Sequence, residues 1–113
     1  MIIPFMVSEP RNYRVAYEVY FKLRDYSDKE LMPISTIARS FIEQFKFDDP
    51  QVSADDIKAL YESLERKDEY VTLAVRLHPN VIDWLKAKSQ KLGLQSTSEL
   101  VTYIIHTKLS EKQ

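Results

Sequence analysis

The sequence predicts a mainly α-helical fold in which one β-strand separates about three N-terminal helices from two C-terminal helices. Three observations support this prediction. Apolar residues recur at helical spacing through most of the chain, one segment alternates strictly between apolar and other residues, and the only glycine lies between the last two helical segments. We divide the 113 residues into an N-terminal helical region, residues 1–68, and a C-terminal unit, residues 69–113.

Composition narrows the classes of function. The chain has no cysteine, which excludes disulfides, thiolate zinc sites and a cysteine nucleophile, and which fits a cytoplasmic protein. The apolar run at residues 1–7 is too short for a signal segment or a membrane span, so we expect no membrane association. Net charge is −1, with the acidic excess before residue 70 and the basic excess after it. We expect no internal repeat.

Three helices are expected before the strand. The first covers residues 11–26, the second begins at Pro33 and runs to about Phe45, and the third begins after Ser53. Each carries apolar residues on one face. The third has the clearest start, because Ser53 followed three residues later by Asp56 has the spacing of a capping box.

The strand covers residues 70–78 and shows a two-residue period. The inward set is Val71, Leu73, Val75 and Leu77, and the outward set is Thr72, Ala74 and Arg76. No second alternating segment is evident, and an unpaired strand leaves backbone groups unsatisfied on both edges. We therefore expect two copies of the chain to pair this strand as a two-stranded ribbon, a shape that fits the major groove of B-DNA.

Two helices are expected after the strand. The first covers residues 80–92 and ends at Gly93, which can adopt a left-handed conformation at low cost. Ser96 or Ser98 then caps the last helix.

The strand, the proline after it, the capped helix, the glycine turn and the Ser98-Glu99-Leu100 start of the last helix resemble the ribbon-helix-helix family of DNA-binding proteins. The resemblance covers residues 71–109. It implies a homodimer that binds double-stranded DNA sequence-specifically, and we expect that several dimers can assemble side by side on DNA. The implied role is a transcriptional repressor or an accessory factor in plasmid partition or transfer.

The resemblance also implies roles for individual residues. Base contacts come from Thr72, Ala74 and Arg76, of which Arg76 would donate two hydrogen bonds to guanine. Phosphate contacts come from the start of the last helix, at Ser96, Thr97 and Ser98. We add two basic residues that lie just before the strand, Arg66 and Lys67. The dimer core comprises Val71, Leu73, Val75, Leu77, Leu85, Leu100 and Ile104.

Two other interpretations stay open. The chain could be a dimeric protein-interaction adaptor, and residues 1–68 could bind a protein partner in either case. Residues 33–67 could form a winged helix-turn-helix, although its second helix begins with acidic residues that would repel phosphate. No catalytic or cofactor motif is evident, and His78 and His106 lack further metal ligands. We therefore expect a protein that is not an enzyme and has neither cofactor nor metal.

Overall fold

The computed structural model describes residues 8–112, which form five helices and one antiparallel two-stranded sheet. In chain order the elements are β1 (Glu9–Ala16), α1 (Tyr17–Glu30), α2 (Ile34–Asp48), α3 (Ala54–Ser63), β2 (Tyr70–Leu77), α4 (Pro79–Lys91) and α5 (Thr97–Glu111). The mainly helical class is confirmed. The predicted order is wrong, because the described chain begins with a strand and not with a helix.

The helix predicted over residues 11–26 is wrong in its first part. In β1, Tyr13 and Val15 are buried whereas Asn12 and Arg14 are exposed, which is the alternation of a strand with one covered face. This short stretch also satisfies helical spacing when it is joined to the apolar residues of α1. Periodicity over so few residues does not separate the two structures.

The two strands form their ribbon within a single chain. Glu9 pairs with Leu77 and Ala16 pairs with Tyr70, so β2 is matched along its length by β1. The predicted ribbon between two copies is therefore wrong. The residues predicted as a dimer core pack inside one chain. Val71 is half-buried and the others are buried, namely Leu73, Val75, Leu77, Leu85, Leu100 and Ile104.

The chain repeats the order strand, helix, helix, which corrects the expectation of no internal repeat. The first repeat is β1, α1 and α2, and the second is β2, α4 and α5. Ser27 in α1 and Ser89 in α4 occupy corresponding buried positions. Leu31 and Gly93, just beyond those helices, both have a positive φ, 55° and 72° respectively. The repeats share burial pattern and backbone conformation more than residue identity, which hides them in the sequence.

The repeats bury one common core. The second helix of each repeat packs against the strand of the other, α2 on β2 and α5 on β1. Along β1, the backbone N–H of Arg14 donates to Ser98 Oγ at 2.9 Å and that of Ala16 donates to Thr102 Oγ1 at 3.4 Å. Side chains of α5 thus satisfy part of the outer edge of β1. Core residues on both sides of the predicted 68/69 boundary belong to one cluster.

The helix α3 connects the two repeats. Its predicted capping box is confirmed, since Ser53 Oγ accepts from the Asp56 N–H at 3.2 Å and Asp56 Oδ2 accepts from the Ser53 N–H at 3.0 Å. Ile57 and Leu60 are buried, and α3 packs on α5. The helix leaves residues 64–69 as an irregular segment that leads into β2.

Candidate nucleic-acid interface

The ribbon has one face that no helix covers. We call it the outward face and define it by the exposed strand residues Pro10, Asn12, Arg14, Thr72, Ala74 and Arg76. They form cross-strand pairs, with Pro10 opposite Arg76, Asn12 opposite Ala74, and Arg14 opposite Thr72. Two of these side chains are cationic and none is acidic. The face therefore offers positive charge and mixed polar and apolar groups on a narrow ribbon.

The predicted base-contacting residues Thr72, Ala74 and Arg76 lie together on this face and are exposed. The residues that β1 contributes, above all Asn12 and Arg14, were not predicted from the sequence. Their signal was the alternation of β1, which helical spacing masked.

Arg14 is held by an aromatic ring on the neighbouring strand. Its guanidinium carbon lies 4.7 Å from the centroid of the Tyr70 ring. Stacking engages the flat face of the guanidinium and leaves its N–H groups at the edge free to donate. Arg14 is thus oriented while its donors stay available.

Arg76 is held at the other end of the ribbon by hydrogen bonds. Its Nε donates to Ser8 Oγ at 3.1 Å and its Nη2 donates to the Ser8 carbonyl oxygen at 3.0 Å. Ser8 and Tyr70 occupy corresponding positions of the two repeats, so each arginine rests on the residue diagonal to it. The two arginines are held by different interactions. Arg76 already uses some of the N–H donors that its guanidinium would offer to a ligand.

The N terminus of α2 lies beside the outward face. Ser35, Arg39 and Arg76 line a cleft of about 270 Å³. The helix follows Pro33, has no side-chain cap and carries no acidic residue in its first turn. Free backbone N–H groups and the positive end of the helix dipole favour an anion here. Arg39 adds a cation, which is partly exposed and pairs with Glu43 at 3.4 Å.

The N terminus of α5 carries an acidic residue in its first turn, Glu99. It carries the predicted phosphate contacts, which are Ser96, Thr97 and Ser98. Glu99 Oε1 accepts from the backbone N–H of Ser96 at 3.2 Å and from that of Gln95 at 2.9 Å. Both donors precede the helix, and Glu99 does not accept from the N–H groups of Thr97 and Ser98. The negative charge of Glu99 disfavours a phosphate here, and the predicted phosphate contact stays a prediction. The two helix starts beside the ribbon therefore differ, since the first turn of α5 carries Glu99 and that of α2 carries no acidic residue.

The other predicted phosphate contacts, Arg66 and Lys67, lie in the irregular segment before β2. The guanidinium of Arg66 stacks 4.4 Å from the centroid of the Tyr17 ring and pairs with Glu69 at 3.5 Å. Lys67 is exposed. Neither belongs to the outward face, and their contact with phosphate stays a prediction.

The shifted pKa values lie away from the outward face. Burial raises the pKa of Tyr13 and of Tyr61 above its ordinary value, and burial together with Lys22 lowers the pKa of His106. Residues 8–112 contain no group of three or more side chains placed to hold a metal ion. What the outward face offers is a set of hydrogen-bond donors, cations and small apolar groups.

No protein-family model, curated protein or solved structure matches this chain. Function must therefore be inferred from the ribbon and the helices beside it. In the part of the chain that the structure describes, no helix is long and apolar enough to cross a membrane.

Proposed function

We propose that the protein binds double-stranded DNA sequence-specifically by placing the outward face of its ribbon in the major groove. The observation that carries this proposal is an uncovered two-stranded ribbon with Arg14 and Arg76 at its two ends and no acidic side chain between them. A ribbon-helix-helix protein assembles such a ribbon from two chains. Here one chain supplies both strands, so one chain is sufficient for a binding site.

The dimensions of the ribbon suit the major groove. This groove is about 12 Å wide and admits a two-stranded β-ribbon. Arg14 is opposite Thr72, four residues along β2 from Arg76. That separation is about 13 Å along the ribbon and corresponds to about four base pairs of DNA. The two arginines can therefore contact different base pairs at the two ends of a short site.

The side chains of the face match groups on base edges. Arg14 and Arg76 are each suited to donate two hydrogen bonds to guanine, a contact worth about 1–3 kcal/mol of discrimination. Asn12 is suited to adenine, and Thr72 and Ala74 can contact a thymine methyl group. The open N terminus of α2, with Arg39 beside it, supplies an anchor for a flanking phosphate. We extend this proposal to a role as a cytoplasmic repressor or as a plasmid partition or transfer factor, each of which would use such binding.

The protein-interaction alternative has one observation in its favour. Leu31 and Phe47 are 90% and 85% exposed, which is unusual for large apolar side chains. They lie just before α2 and at its last turn, so they do not form one patch. A protein partner that contacts the first repeat is compatible with DNA binding by the ribbon. The winged helix-turn-helix alternative is less favoured, because β2 pairs with β1 and not with a second strand of a wing.

Selection of bound duplexes from a random pool tests the proposal. We expect the full chain to enrich a short motif, and a variant with both Arg14→Ala and Arg76→Ala to lose that enrichment. A variant with both Arg24→Ala and Lys29→Ala is the matched control, because it removes the same two positive charges from exposed positions on α1. The affinity of the enriched site should fall steeply with salt, as phosphate contacts require. A chain that enriches no motif, or a double variant that enriches the same motif, would contradict the proposal.

A further inference from the structure

The two repeats match at the ends of the outward face and differ at its centre. Arg14 and Arg76 occupy corresponding positions on β1 and β2. Asn12 and Ala74 also correspond, and they stand opposite each other in the middle of the ribbon. The backbone therefore has an approximate two-fold axis at the centre of the ribbon. The two side chains related by this axis, Asn12 and Ala74, are different.

This mismatch has a consequence for the ligand. Two identical chains present identical half-ribbons, so their DNA sites are palindromic. A single chain has no such constraint. At the centre of the face Asn12 offers an amide that can bond N6 and N7 of one adenine, whereas Ala74 offers only a methyl group. The two β-strands thus make different contacts with the base pair at the centre of the site.

We propose that the protein recognises a non-palindromic DNA site in one fixed orientation. The site has a guanine near each end, contacted by Arg14 and Arg76, and an adenine near its centre, contacted by Asn12 and without a symmetry-related counterpart. This inference rests on the proposed function. It adds that Asn12 determines the specificity at the centre of the site and sets the direction in which the chain lies on DNA.

The helix N termini beside the two ends of the ribbon also differ from each other. The end that carries Arg76 adjoins the uncapped N terminus of α2, with Arg39 beside it. The end that carries Arg14 adjoins the N terminus of α5, where the Glu99 carboxylate accepts from the N–H groups of Gln95 and Ser96 and places a negative charge beside the helix start. Reversing the chain on its site would exchange a helix start with no acidic residue in its first turn for one that carries Glu99. The flanks therefore favour the single orientation that the ribbon centre specifies.

Selection from a random pool with three forms of the full chain tests this inference. We expect the parent chain to enrich a non-palindromic motif. Asn12→Ala should lower the preference for the central adenine about tenfold and leave both guanines enriched. Ala74→Asn should add an adenine at the symmetry-related position and make the centre of the motif palindromic. Both positions are exposed, and thermal unfolding checks that the variants stay folded.

The outcomes separate this inference from the proposed function. A palindromic motif bound by one chain, or a central preference that survives Asn12→Ala, overturns the inference while DNA binding stands. Failure of the parent chain to enrich any motif overturns both. If two chains bind one duplex head to head, each half of the motif must still be non-palindromic, and a palindromic half also overturns the inference.

Discussion

The two repeats of this chain share an arrangement of strands and helices and a pattern of buried positions, and they carry the same residue at only some of those positions. Leu23 and Leu85 correspond and are both fully buried, as Ser27 and Ser89 correspond and are both buried. On the outward face only the arginines agree. The common core constrains the inward positions of both repeats, whereas the outward positions are free to acquire separate roles.

Breaking the core should have the largest effect, and the effect should be similar in the two repeats. Leu23→Ala and Leu85→Ala each remove a side chain with no exposed surface. We expect each to lower the free energy of unfolding by about 2–5 kcal/mol. Because both repeats line one core, each variant should unfold in a single transition.

Urea denaturation followed by circular dichroism measures this prediction. Phe21→Ala is a suitable control, because Phe21 is 36% exposed on α1 and should cost less. Two separate transitions in either variant would show that the repeats fold independently, and the idea of one shared core would then have to be abandoned.

The two arginines of the outward face should contribute unequally to DNA binding. Arg14 stacks on Tyr70 and keeps its donors free, whereas Arg76 already donates to Ser8. We expect Arg14→Ala to weaken specific DNA binding by about 1–3 kcal/mol and Arg76→Ala to weaken it by less. Fluorescence anisotropy with the selected duplex measures both affinities.

A second variant tests the reason for this difference. Ser8→Ala removes one hydrogen-bond acceptor from Arg76 and should leave the affinity unchanged or slightly improved. If Arg76→Ala weakens binding more than Arg14→Ala does, then pre-orientation by Ser8 contributes more than the availability of donors.

The N termini of α2 and α5 should also respond differently to an added charge. Ser35→Glu places a carboxylate at the uncapped end of α2, where the helix dipole stabilises it by about 0.3–1 kcal/mol. We expect the folded state to be retained and DNA binding to weaken. The slope of log affinity against log salt should become shallower by about one, because one phosphate contact is lost.

Thr97→Glu is the matched control at α5, where Glu99 already places a carboxylate beside the helix start. Thr97 is preferred to Ser98 because Ser98 Oγ accepts the N–H of Arg14. We expect little change in binding from Thr97→Glu. Equal losses from the two variants would mean that both flanks contact phosphate.

The second repeat could be predicted from the sequence much better than the first. In β2 the inward residues are four aliphatic side chains in strict alternation, and the outward set followed directly from it. In β1 the buried inward residues are only Tyr13 and Val15, and no breaker separates them from α1. Once β1 was taken for a helix, β2 had no partner in the chain. The choice of strand partner is a tertiary property that local periodicity does not contain.

The same ambiguity explains what was found and missed at the candidate interface. The sequence predicts that Thr72, Ala74 and Arg76 of β2 face outward, and they are exposed. Asn12 and Arg14 were missed together with their strand. At the start of α5, Ser96 and Glu99 have the spacing of a capping box. The hydrogen bond from the Ser96 N–H to Glu99 could therefore be predicted from the sequence. The open start of α2 was not singled out, because its position beside the ribbon depends on the strand pairing.

The turns between the two helices of each repeat provide the smallest and most local test. Leu31 and Gly93 both have a positive φ, a conformation that costs a non-glycine residue about 1–2 kcal/mol. A Cβ at Gly93 would meet no atom within 4 Å, so Gly93→Ala tests the backbone alone and should destabilise the fold by about 1 kcal/mol. Leu31→Gly should do the opposite and stabilise it by less than about 1 kcal/mol, since the gain is offset by the greater freedom of an unfolded glycine. Thermal unfolding measures both.

A leucine that is 90% exposed in a strained conformation contributes little to folding. Stabilisation by Leu31→Gly would therefore favour a role for Leu31 in contacting a partner, whereas destabilisation would show that this turn, unlike its counterpart, depends on the leucine side chain.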